Sequence, residues 1–136
     1  MIASLICVIS VAAFLQFYVF HCRSILATSL KMHLSDRVRE VTGMASANVI
    51  PDDFHRLLQL VRLCPERGDD QMEIRAVGTY YTLLRVLGAV SRRTIPSVAA
   101  WAEEERRSCS YFAAVALDRR ISYSCDLFSQ QVADSL

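Results

Sequence analysis

Residues 2 to 20, IASLICVISVAAFLQFYVF, run for about 19 positions without a charge, a proline or a glycine. Gln16 is the only strongly polar side chain among them. A helix built from this run has no polar face, unlike most surface or core helices. At a rise of about 1.5 Å per residue it approaches the roughly 30 Å thickness of a bilayer's hydrocarbon core. The pattern predicts a retained transmembrane helix. A cleaved signal would begin with basic residues and end at small ones. Here no Lys or Arg precedes the run, and the nearest small-residue candidate, Ala27, lies beyond the first charge, Arg23.

Past the run the pattern changes to a stripe. Leu26, Leu30, Leu34, Val38 and Val41 recur every three or four positions, with Lys31, Asp36, Arg37, Arg39 and Glu40 mostly between them. That is the period of an amphipathic helix, and Gly43 stands where a C-terminal cap glycine belongs. One helix from about residue 2 to 42 is expected, about 60 Å long. Leu26, Leu30, Leu34 and Val38 are its candidate interaction face, to be covered by the rest of the chain or by a second copy.

Three further helices are expected. Pro51 suits a first helical turn, and Asp52 and Asp53 follow where the macrodipole favours acids. Phe54, Leu57, Leu58, Val61 and Cys64 form the apolar face, which Pro65 and Gly68 end. A third helix starts near Asp69 or Asp70, with Ile74, Val77, Tyr81, Leu84 and Leu87 or Gly88 on its stripe. After the break at residues 91–97, Trp101, Cys109, Phe112, Ala116, Ile121, Cys125, Phe128 and Val132 keep a helical rhythm, as one long helix or as two joined near Ser122 to Ser124. Trp101 reads as a core or inter-helix anchor. No strand-like alternation appears. The expected fold is all-α: one N-terminal transmembrane helix continuing into a juxtamembrane helix (residues 1–43), then a small bundle of about three helices (residues 44–136).

Charge sets the expected orientation. Arg23, Lys31, Arg37 and Arg39 follow the span closely and no basic side chain precedes it, which favours Met1 outside and residues 21 to 136 in the cytoplasm. Over the 136 residues, 15 Lys and Arg nearly balance 14 Asp and Glu, a net charge of +1. That balance argues against a nucleic-acid binder. The five cysteines are odd in number and widely spaced, without a C-x-x-C pair. They read as free thiols rather than a disulfide framework or a zinc site.

The candidate chemistry is thin. Asp52 and His55 have the i, i+3 spacing of a carboxylate–imidazole metal pair, but di-iron bundles need that motif twice with further glutamates. Helix-start acids beside a surface histidine are the simpler reading, and no metal or cofactor is expected. Glu103, Glu104, Glu105, Arg106 and Arg107 form the densest charge cluster, spaced for ion pairs on a solvated face. Arg92–Arg93, Arg106–Arg107 and Arg119–Arg120 are adjacent pairs that would suit anionic headgroups if they lie near a bilayer. Tyr80, Tyr81, Tyr111 and Tyr123 are read as packing residues. Phosphate-loop glycine patterns, H-E-x-x-H and G-x-S-x-G are all missing.

These observations favour a single-span, membrane-anchored helical protein that acts by protein–protein contact, as an accessory subunit, tether or adaptor. Its expected partners are the lipid bilayer and a protein or a second copy of itself. A small helical enzyme or metal-binding bundle, using Asp52, His55 and acids such as Glu73 or Glu103, is one alternative. A homo-oligomeric signalling stalk paired along the first helix is the other.

Overall fold

The computed structural model describes residues 1–32 and 53–134, and every described element is a helix. They are α1 (Ile2–Leu30), α2 (Asp53–Leu63), α3 (Asp70–Thr94) and α4 (Pro96–Asp134). The N-terminal helix, α1, is long and apolar enough to cross a membrane.

Helix α1 changes character part-way along. Residues 1–17 are exposed on every side, whereas Cys22, Leu26 and Ser29 are buried. Ser29 is tolerated inside because its hydroxyl donates to the Ile25 carbonyl at 3.1 Å, as Thr28 does to Ser24 at 3.0 Å. Such back-bonding hides a hydroxyl against its own helix. The helix ends at Leu30, where the Met32 N–H closes a tight turn onto the Ser29 carbonyl at 3.0 Å. The expected continuation to residue 42, with Leu34 and Val38, lies outside the described residues, as do Pro51 and Asp52.

Helices α3 and α4 form an antiparallel hairpin joined by one residue. Ile95 is extended (φ −139°, ψ 90°), as the residue before a proline should be. Pro96 then opens α4, where its missing N–H leaves no donor unsatisfied. Ala102 packs beside Gly88, where an added Cβ would meet the alanine at an ordinary 3.6 Å, so this crossing does not depend on glycine.

The remaining packing directions follow from who meets whom. As numbering along α1 falls from Ile25 through Tyr18 to Phe14, the facing residues of α3 rise from Glu73 through Ala76 to Leu83. Helices α1 and α3 are therefore antiparallel. The α3–α4 turn lies towards the same end of the molecule as the exposed half of α1.

Helix α4 is the hub. Among the described residues it is the one helix whose backbone comes close to all three others. Its middle, Cys109 to Leu117, is buried almost all the way round, with Tyr111 alone half-buried. Ser110, Ala113, Ala114 and Ala116 supply small side chains there, so three neighbours fit around one helix. Phe54, Leu57 and Val61 of α2, and Val77, Tyr80, Tyr81 and Leu84 of α3, fill the core around it, joined by Cys22 and Leu26 of α1. The expected faces of α2 and α3 are thus the buried ones, except that at the end of the α3 stripe Gly88 faces α4 and Leu87 is 41% exposed. Trp101 is a correction: it is 38% exposed, and the neighbouring Ala102 is the buried residue. The buried stripe of α4 runs through Ala102, Cys109 and Ala116 at seven-residue intervals, one position out of phase with the tryptophan.

Candidate functional site

The expected interaction face divides at the end of α1. Leu26 is buried in the core, and Leu30, one turn later, is 53% exposed. Leu34 and Val38 fall outside the described residues.

The Glu103–Arg107 cluster is less solvated than its composition implies. Glu105 turns inward with its side chain 12% exposed and takes the Arg23 guanidinium at 2.7 Å. It also accepts the Tyr80 hydroxyl at 3.3 Å. Arg106 pairs with Glu103 at 3.0 Å, donates to the Tyr81 hydroxyl at 3.1 Å and lies 5.2 Å from that ring's centroid. Arg107 and Glu104 form the exposed pair, at 3.6 Å. The i, i+3 pairing is realised twice. The solvated-face reading holds for Glu104 and Arg107 and fails for Glu105 and Arg106, because a helix turns about 100° per residue and this stretch straddles the core boundary.

Around Tyr81 an aromatic group closes the gap between α2 and α3. Phe54 stacks on Tyr81 with centroids 4.2 Å apart, and His55 meets the same ring edge-on at 5.5 Å. His55 is therefore an exposed rim of an aromatic stack. Among the described residues no three His, Cys, Asp or Glu side chains gather closely enough to hold a metal ion.

The cysteines are free thiols, with Cys22 and Cys109 buried. Burial, reinforced by the nearby Glu105 carboxylate, pushes the Cys109 thiol up to about 12. It is protonated at neutral pH and is a packing group, not a nucleophile. Burial likewise raises the Tyr80 phenol, with Glu105 again adding to the shift.

The three arginine pairs have three fates. Arg119 and Arg120 both turn in: Arg120 is buried and donates to the Val61 carbonyl at 2.8 Å, holding the C-terminal turn of α2. That carbonyl also accepts the Cys64 N–H at 3.3 Å, and a cation at this helix end favours the dipole. Arg119 lies 3.9 Å from both Asp70 and Glu73 and reaches the Met32 sulfur at 3.0 Å. Arg106 and Arg107 divide between core and solvent. Arg92 and Arg93 are both exposed and enter no ion pair among the described residues.

Several polar links root α1 in the bundle. The Tyr18 hydroxyl donates to the Ala76 carbonyl at 2.7 Å, the Arg23–Glu105 pair lies one turn below, and the Met32 carbonyl accepts the Tyr111 hydroxyl at 2.8 Å. Where α1 leaves α3, a mostly apolar groove of about 440 Å³ opens between Phe14, Leu15 and Tyr18 on one wall and Met72, Ala76 and Leu83 on the other. Sequence reasoning missed Arg23, Tyr80 and Arg120 as inter-helix links. A signal existed for Glu105, which stands four residues from both Trp101 and Cys109 of the expected stripe.

Neither a protein-family model, nor a curated protein, nor a solved structure matches the chain.

Proposed function

We propose that the chain is a single-span membrane protein whose helical bundle acts by protein–protein contact, as an accessory subunit, tether or adaptor. The observation that carries this reading is the division of α1. Ile2–Phe17 is exposed on every side, while Tyr18–Ser29 packs one face into the core. Each large apolar side chain left in water forgoes about 1.5–3 kcal/mol of burial, and this stretch carries many. A bilayer offers that burial without a protein neighbour. The rooted half would hold the bundle in a fixed relation to the membrane, which is what a tether needs. The basic residues Arg23, Lys31, Arg37 and Arg39 support an outside N-terminus and a cytoplasmic bundle.

The polar groups inside the bundle are engaged in joining helices, which suits a scaffold better than a reaction centre. A homo-oligomeric stalk is the second reading, favoured by the exposure of Leu30 at the end of α1.

Membrane extraction at alkaline pH tests the anchor, and a reporter fused after Leu136 tests the orientation. The chain should stay in the pellet, with only a cytoplasm-active reporter working. Release into the supernatant would refute the anchor, and an active exported-only reporter would reverse the topology. Capture in mild detergent, with the mass of the purified particle, tests the contact role. A monomer without a stoichiometric companion would refute it, and a particle holding copies of this chain alone would select the stalk.

A further inference from the structure

We draw no further inference here: the strongest candidate, the exposed apolar stripe of α3 formed by Leu83, Val86, Leu87 and Val90 beside the groove that this helix shares with α1, carries nothing because no observation in the structure shows what covers it.

Discussion

Two stretches of this protein are apolar nearly all the way round. They are residues 2–17 of α1 and residues 109–117 of α4. The first is exposed on every side and the second is enclosed by three other helices. A helix without a polar face belongs either in the centre of a protein or in lipid, and the two stretches differ in residue size. In α4 the small residues Ser110, Ala113, Ala114 and Ala116 let neighbouring backbones approach. In α1 the bulky residues Leu5, Ile6, Phe14 and Phe17 project outward. Small side chains suit a hub, and large ones suit a fluid solvent of acyl chains.

The sharpest way to break this contrast is to truncate one phenylalanine in each stretch. Phe112 is 3% exposed, and Phe112→Ala should cost about 3–5 kcal/mol of bundle stability. Phe14 is 68% exposed, and Phe14→Ala should leave a denaturant melt in detergent within about 0.5 kcal/mol of the parent. Equal losses would mean that the first half of α1 packs on the bundle. Enlarging an alanine applies the opposite pressure. Ala114→Leu should overfill the waist of α4 and cost about 1–3 kcal/mol, while Ala13→Leu should be silent in the same melt.

Alkali probes the hub without changing its size. The Cys109 thiol is raised from near 9 to about 12, so its neutral form is favoured in the folded chain. Below pH 9 it is protonated both folded and unfolded and exerts no pH dependence. As pH climbs from about 9 to about 12 the unfolded chain loses that proton first, and stability falls with a limiting slope of about 1.4 kcal/mol per pH unit. Cys109→Ala should flatten the melting temperature over that window only in part, because the raised Tyr80 phenol remains. An unchanged slope would place the titrating group elsewhere. The smallest effect is at the junction of the two stretches. Glu105→Gln weakens the pair with Arg23, whose side chain is 59% exposed, so solvent screening holds the loss to below about 1 kcal/mol. Its better readout is faster backbone hydrogen exchange at residues 18–29, where α1 is rooted; unchanged exchange would mean that other contacts suffice.

Much of the fold was legible because α2 and α3 have one apolar face each, and period alone identifies it. Phe54, Leu57 and Val61, and Val77, Tyr81 and Leu84, follow that rule. Helix α4 was harder to read: with apolar residues on all sides, its period does not say which neighbour takes which face. Size alone points to Trp101, the largest side chain, where Ala102 is the buried one. The arginine pairs resisted for another reason. Arg92–Arg93, Arg106–Arg107 and Arg119–Arg120 look alike in sequence, and only the tertiary neighbours decide which guanidinium caps α2, stacks on Tyr81 or stays free. For the candidate interaction face, Leu26 and Leu30 share a stripe, but the turn after Leu30 is set by packing that the stripe does not encode.

The place of the hub in the chain has a consequence for synthesis. Helix α4 is made after α1, α2 and α3, yet each of them packs against it. At 11 residues α2 is too short to hold its helix alone, and the Arg120 guanidinium that holds its last turn emerges from the ribosome much later. The buried residues of α1, Cys22 and Leu26, wait for Cys109 and its neighbours in the same way. The apolar run of α1 has no buried residue waiting for such a partner. During translation the two halves of α1 are thus fixed at different times, and the rooted half waits for the bundle.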